Sequence, residues 1–195
     1  HPRAVARTKG GRRVTQRRRR SSASAEANRL YAWEDRAVAP RDRSRVPFEQ
    51  LQSLVDHVWA AEGLRFPPRV RPLPAQARAT VARATRLSIE APPELPSWVL
   101  LHELAHAMTS TAEGGNDGHG ARFAGLYLRL LVRHARMPEE ELARSLRAAG
   151  IPFDPDARRF YERQGYEVED HHLETREQTD AFKAEHGVDT TPQTF

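Results

Sequence analysis

The sequence predicts an α+β fold in which several helices pack on a small, mostly antiparallel sheet. Apolar side chains recur at helical spacing in the stretches after residues 47, 97 and 119. Between the first two stretches, seven prolines within 64–96 forbid a long helix and leave room for short strands. Both ends are charged and lack a continuous apolar stripe, so we expect a disordered basic N-terminal tail and an acidic, partly ordered C-terminal tail.

One folded domain with two tails accounts for the length of 195 residues. Residues 1–27 form the predicted Arg-rich tail, residues 28–152 the folded domain and residues 153–195 the acidic tail. The hydrophobic fraction of 38% and the mean hydropathy of −0.73 are low for a chain that is folded throughout. A substantial solvated fraction is therefore expected.

The basic charge is concentrated in the first tail. Nine of the 31 cations and none of the acids lie in residues 1–20, which leaves 22 cations against 26 acids in the remainder. Counterion release would attract such a tail to phosphates, which makes nucleic acid a candidate partner. A solvated leader without a binding role has the same composition, and both interpretations stay open.

The sequence contains no cysteine and no long apolar run. Disulfides, thiolate zinc ribbons and cysteine nucleophiles are therefore excluded, and any metal must be held by His, Asp or Glu. No apolar segment has the length of a membrane span or a secretory signal. We expect a cytoplasmic protein without a membrane partner, and the sequence does not indicate its oligomeric state.

Two helices are predicted in the first third of the domain. A short one is expected around Leu30–Trp33, and a longer one opens at Pro47–Phe48 with Ser44 or Arg45 near its start. Gly63 ends the longer helix. A single apolar stripe runs along it, consisting of Phe48, Leu51, Leu54, Val55, Val58 and Trp59.

Short strands are predicted in residues 64–95. Val70–Arg71 is one candidate. Val81–Glu90 is a better one, because two sets of residues alternate along it, Thr85, Leu87 and Ile89 against Ala84, Arg86 and Ser88.

The strongest signal is the run Trp98–Met108, which holds the pattern H-E-x-x-H in an apolar stretch free of helix breakers. On a helix, His102 and His106 lie four residues apart on nearly the same face and can bind one ion together. Glu103 lies one step around the helix and can reach a water in the ion's open position. Two imidazoles suit Zn²⁺, and the carboxylate suits a general base. Without a metal both rings would need hydrogen-bond partners, which the apolar flanks do not supply.

His119 is the predicted third metal ligand. A polar, glycine-rich loop over 110–118 separates it from the motif helix and lets the chain reverse. His119 also precedes Phe123 by four residues, so it belongs to the buried side of the next helix, whose stripe is Phe123, Leu126, Tyr127, Leu130 and Leu131. Three protein ligands and one water form the usual coordination of a catalytic zinc.

Other ligand assignments fit the sequence less well. Thr109 and Ala112 occupy the positions at which metzincins carry a glycine and their third histidine, which excludes that class. His134 shares a helix face with His119, but fifteen residues at a rise of 1.5 Å place it about 22 Å further along. Acidic side chains remain as alternative third ligands, namely Asp117, Glu113 and Glu139–Glu141.

The segment His102–His106, followed by His119-Gly120-x-x-Phe123, resembles the H-E-x-x-H…H-G-x-x-F signature of SprT-like zinc metallopeptidase domains. It is also similar to a metallohydrolase family of actinobacteria and their phages. The resemblance is specific over Leu87–Leu131, extends back to about Leu30 and includes neither tail. It implies that residues 28–152 form a compact zincin-like core with a cleft beside the motif helix.

The expected function is zinc-dependent hydrolysis of a peptide bond in a polypeptide substrate, with Glu103 as general base. An extended substrate is expected to pair with an edge strand around Thr85–Ile89. Tyr127 and Arg122 are candidate donors to the oxyanion.

Two alternatives to this peptidase stay open. One is a nucleic-acid-associated protein that uses its Arg-rich tail and has a structural or relic metal site. The other is an H-E-x-x-H peptidase of the kind that cleaves regulators of phage and mobile elements. Those peptidases usually supply a downstream acid where this chain has His119–Gly120.

Overall fold

A computed structural model of the chain describes residues 25–74, 81–111 and 114–157. Most of the predicted basic tail, and the predicted acidic tail from residue 158 onward, lie outside this part of the chain. Residues 25–33 form helix α1, so helical structure is present before residue 28, where the folded domain was predicted to begin.

The described helices follow the predicted stripes closely. Helix α1 continues into a π-helical turn, Glu34–Val38, and a 3₁₀ turn, Ala39–Arg41. The remaining helices are α2 (Phe48–Ala61), α3 (Ser97–Met108), α4 (Ala121–His134) and α5 (Glu139–Ala148). On α2 and α4 the predicted stripe residues are buried or half-buried, as amphipathic helices require.

The strands are short and form two small sheets. They are β1 (Val46–Pro47), β2 (Arg69–Pro72), β3 (Arg83–Ala84), β4 (Ser88–Ala91) and β5 (Glu94–Leu95). Strand β1 pairs antiparallel with β5. In the second sheet β4 is central, pairing in parallel with β2 and antiparallel with β3. These sheets and the helices around them confirm the predicted α+β class, although the longest strand pairing is parallel.

The predicted strand Val81–Glu90 and the predicted edge around Thr85–Ile89 are wrong in detail. Thr85 starts a tight turn, in which its hydroxyl accepts hydrogen bonds from the backbone amides of Leu87 and Ser88. The chain therefore reverses within the predicted strand, and Ile89 falls on the central strand, buried between two neighbours. The edge beside α3 is instead β3, Arg83–Ala84.

Helix α3 is the centre of the core. Nine of its twelve residues are buried, and it packs on α4 on one side and on β3 and β4 on the other. Its apolar side chains join a cluster to which all five described helices and strands β4 and β5 contribute. The histidine motif is therefore carried by a helix held from several directions.

The start of α3 is fixed by residues more than fifty positions earlier in the chain. The Asp42 carboxylate accepts hydrogen bonds from the Ser97 hydroxyl and from the Trp98 amide, and the Ser44 hydroxyl accepts one from the Ser97 amide. Ser44 thus contributes to α3 and not to α2, whose N-cap position is Pro47. Burial opposes ionisation of Asp42, but the hydrogen bonds from Ser97, Ser44 and Trp98 prevail and lower its pKa.

The described chain after α5 packs against α4. The amide of Asp154 donates to the Ala121 carbonyl, and Arg129 donates to the Ala157 carbonyl. Gly125 permits this approach, because a Cβ there would lie 1.9 Å from the Asp154 carbonyl oxygen. None of the described helices is long and apolar enough to span a bilayer.

Candidate metal centre

Three histidines meet at one point. The distance between the Nε2 atoms is 3.1 Å for His102 and His106, 3.1 Å for His106 and His119, and 3.3 Å for His119 and His102. Helix α3 supplies the first two, and the third lies two residues before α4. These are the three ligands that the sequence predicted, and together they could hold a metal ion.

The geometry of this His102/His106/His119 cluster fits a tetrahedral ion. With metal–nitrogen distances of about 2.0–2.1 Å and tetrahedral angles, neighbouring ligand nitrogens lie about 3.3 Å apart. The observed separations of 3.1–3.3 Å are close to that value. Three imidazole nitrogens facing one point also cannot all donate protons to one another, whereas a cation accepts all three lone pairs.

A carboxylate behind the cluster fixes the first ring. Oε1 of Glu34 lies 2.6 Å from Nδ1 of His102, and Glu34 is 3% exposed. An ionised carboxylate only accepts hydrogen bonds, so Nδ1 carries the proton and Nε2 presents its lone pair to the cluster. Glu34 lies in the π-helical turn, 68 residues before His102, and no sequence pattern pointed to it. Wide turns of this kind are frequent at functional sites.

The loop between α3 and α4 positions the third ring. The chain reverses through a bridge between Ser110 and Asn116. Asp117 then accepts a hydrogen bond from the Phe123 amide at 3.1 Å, across the first turn of α4. Among the alternative ligands, Asp117 therefore caps a helix, and Glu113 lies outside the described residues.

The remaining alternatives lie elsewhere. His134 hydrogen-bonds the Glu62 carboxylate at 3.0 Å, and Glu141 pairs with Arg41. Neither belongs to the histidine cluster, nor do the other acids at the start of α5, Glu139 and Glu140. His119 is thus the residue that completes the cluster within the described chain.

Aromatic rings enclose the cluster. Phe123 is fully buried, with ring centroids 4.3 Å from His106 and 5.0 Å from each of the other two histidines. The ring of Tyr31 lies 6.0 Å from His102 and 5.4 Å from His119, and this residue is 47% exposed. The site therefore has an apolar floor and a tyrosine at its open side.

Burial keeps two of the rings uncharged. It lowers the pKa of His106 to about 2, with His102 and His119 adding to the effect. It also lowers the pKa of His119 to about 4, again with a contribution from His102. At neutral pH both rings are therefore neutral, which is the form that binds metal.

Glu103 is poised to exchange a proton near neutrality. Its side chain is almost fully buried, and burial raises its pKa to about 7, although His102 lowers it and Glu34 raises it further. A carboxyl group with such a pKa both accepts and releases protons at neutral pH.

A cleft of about 600 Å³ opens beside α3 and reaches this carboxylate. Its lining includes His102 and several apolar or acidic side chains, namely Tyr31, Asp35, Val81, Trp98, Val99 and Glu103. This volume lies within the usual range of about 300–1,000 Å³ for ligand-binding pockets.

The candidate oxyanion donors of the sequence do not lie in this cleft. Tyr127 is buried, and its hydroxyl donates to the Trp98 carbonyl at 3.4 Å. Arg122 is half-buried at the start of α4, and it does not contribute to the cleft lining. Tyr31, by contrast, lines the cleft. The sequence did not indicate this residue, because it lies 71 positions before His102 and no local pattern connects the two.

Comparison with known proteins gave no match to a family model, to a curated protein or to a solved structure. The assignment of function therefore depends on the geometry of the site.

Proposed function

We propose that the chain is a zinc-dependent metallohydrolase, specifically a peptidase that hydrolyses peptide bonds in a polypeptide substrate. The observation that supports it is the convergence of three imidazole nitrogens, beside a buried carboxyl group that borders a cleft. Three ligands leave one tetrahedral position for water or substrate. The resemblance of His102–Phe123 to SprT-like peptidases agrees with this proposal.

Each residue of the site has a different role in the proposed reaction. His102, His106 and His119 would hold Zn²⁺, which when bound lowers the pKa of water and polarises a carbonyl group. Glu103 takes the proton from the attacking water and returns it to the leaving amine. Glu34 holds His102 in the tautomer that binds metal. The same imidazoles accept other divalent ions, so the choice of zinc is part of the proposal.

The test combines elemental analysis with a peptide-library assay on the purified protein. We expect zinc at one equivalent and hydrolysis by the wild type. Glu103→Gln should retain the metal and lose about 10²- to 10⁴-fold in rate. Glu49→Gln, at an exposed position in the first turn of α2, is the matched control. If Glu103→Gln still hydrolysed peptides, Glu103 would not be the general base. If His119→Ala bound the metal as tightly as the wild type, a residue other than His119 would be the third ligand.

The nucleic-acid alternative predicts a different site. A structural zinc is closed by four protein ligands, whereas the described chain brings three together. The nine cations of the Arg-rich tail, all within residues 1–20, lie outside the described residues. Deleting residues 1–20 and measuring the salt dependence of DNA binding tests this alternative directly.

A further inference from the structure

Tyr31 is the one tyrosine that borders both the cleft and the histidine cluster in the described chain. Its ring lies against two of the three imidazoles, at 5.4 Å from His119 and 6.0 Å from His102. It lines the cleft together with Glu103. Nearly half of its surface is exposed, so a bound substrate can reach it.

Tyr31 shares its cleft with two carboxyl groups beside the histidine cluster. Glu34 and Glu103 line the same cleft, and burial, followed by the charges of these two groups, raises the pKa of the Tyr31 phenol. Among the described residues, no hydrogen bond holds this hydroxyl. A phenol is protonated at neutral pH and has one O–H to donate.

Tyr127, the other tyrosine near the site, cannot take the same role. It is 1% exposed, packs on His102 and Phe123, and already donates to the Trp98 carbonyl. Its hydroxyl is occupied below the cluster, whereas that of Tyr31 is available in the cleft.

We propose that the Tyr31 hydroxyl donates a hydrogen bond to the carbonyl oxygen of the scissile peptide bond as negative charge develops on it. This inference rests on the proposed peptidase function. As the water oxygen bonds to the carbonyl carbon, one water proton passes to Glu103 and the carbonyl π pair moves onto oxygen. Tyr31 keeps its proton and stabilises that oxygen. When the C–N bond breaks, the carbonyl re-forms and the leaving nitrogen takes the proton from Glu103.

The decisive variant is Tyr31→Phe, which keeps the ring and removes only the hydroxyl. We expect kcat to fall about 10- to 100-fold with little change in KM, because the bond forms chiefly in the transition state. Metal affinity, measured by competition with a chromophoric chelator, should stay within about threefold of wild type. Phe66→Leu replaces an exposed aromatic residue outside the cleft lining and serves as control.

A second readout does not use activity. A phosphinic peptide, whose tetrahedral phosphorus mimics the transition state, should bind Tyr31→Phe about 10-fold or more weakly than it binds the wild type by calorimetry. An ordinary peptide should bind Glu103→Gln and Glu103→Gln/Tyr31→Phe equally. Tyr31→Leu, which also removes the ring, should be at least as impaired as Tyr31→Phe.

Three outcomes would overturn the inference. Unchanged kcat and analogue affinity in Tyr31→Phe would exclude a role for the hydroxyl while leaving the peptidase intact. A clear loss of metal affinity in that variant would make Tyr31 a ligand. Absence of hydrolysis by the wild type would instead overturn the proposed function itself, and this inference with it.

Discussion

The carboxylate of Glu34 is buried at 3% exposure, where an isolated charge would be costly. It is stabilised by the His102 ring, whose Nδ1 lies 2.6 Å from Oε1 of Glu34. Burial and the nearby carboxylates, Glu34 foremost, raise the pKa of Tyr127 well above its usual value, so that phenol stays a donor. The pairing thus orients, from behind, a ring that could bind a metal ion.

Replacing Glu34 with Gln tests this orientation. The amide oxygen can still accept from Nδ1, but the negative charge that makes the imidazole a better ligand is lost. We expect zinc affinity to fall about 10- to 100-fold while the fold is retained. Competition with a chromophoric chelator measures the affinity. Glu141→Gln, which removes a carboxylate paired with Arg41 on the surface, should bind zinc as the wild type does.

The sequence predicted the three histidines of the candidate metal centre and did not indicate Glu34 and Tyr31, which contact them, for a physical reason. His102 and His106 are related by helical periodicity. His119 was predicted to lie on the next helix, but α4 begins at Ala121 and the third ring is carried by the turn before it. The prediction of His119 as the third member of the cluster was right, although its place on the helix was not. Glu34 and Tyr31 reach the site only through tertiary packing, across about 70 residues of chain. No periodicity connects positions so far apart.

Helix α3 depends on the segment before α2 for its first turn. The Asp42 carboxylate accepts hydrogen bonds from the Ser97 hydroxyl and the Trp98 amide. Backbone amides in the first turn of a helix have no partner within the helix, so the Trp98 amide needs such an acceptor. Ser44 or Arg45 was expected near the start of α2, because N-cap preferences are inferred from local sequence. The sheet pairing of β1 with β5 brings Ser44 to α3 instead.

Asp42→Ala should destabilise the protein by about 1 kcal/mol near neutral pH, the usual cost of losing an N-cap. The folded pKa of Asp42 is lowered, so its contribution is present above the unfolded value of about 3.9 and is lost as pH falls through the folded value. The difference in unfolding free energy between wild type and variant should therefore shrink between pH 6 and pH 3. Denaturant unfolding at both values measures it.

Asp56→Ala is the control for that experiment, since Asp56 accepts only an exposed hydrogen bond from Gln52 within α2. It should change stability by no more than about 0.5 kcal/mol at either pH. If the difference in unfolding free energy between wild type and Asp42→Ala stayed constant from pH 6 to pH 3, ionised Asp42 would not be stabilising the start of α3.

The packing at the start of α4 explains why residue 120, directly after the third histidine, is a glycine. A Cβ on Gly120 would lie 2.8 Å from Oδ2 and 3.1 Å from the carbonyl oxygen of Asp117. A side chain there would displace the carboxylate that caps α4 through the Phe123 amide. The glycine therefore serves the placement of His119.

Gly120→Ala should accordingly weaken zinc binding about tenfold, which corresponds to about 1.4 kcal/mol and lies within the usual cost of a lost cap. Asp117→Ala removes the same cap without adding a methyl group and should act in the same direction. Circular dichroism of both variants checks that the helices persist. If both variants bound zinc as tightly as the wild type, the cap on α4 would not contribute to the metal site.

Within the described residues, the predicted α+β class and the helices that the sequence indicated were right, and the predicted arrangement of the strands was less accurate. Amphipathic stripes on α2 and α4 are strong signals because each helix buries a single face. Strands of two to four residues carry too little alternation to fix pairing. The parallel pairing of β2 with β4 and the turn at Thr85 depend on non-local contacts that a pattern does not contain.

The histidines lie at the margin of a core that every described helix builds from apolar side chains. In contrast to a zinc finger, this protein should not need the proposed zinc ion in order to fold. Treatment with EDTA should leave the helical circular dichroism intact and lower the melting temperature, because bound zinc adds stability by mass action. Collapse of the helical signal would contradict this. If the helices persist without the ion, cobalt can replace zinc in the folded protein, and the site can then be studied by visible spectroscopy without refolding.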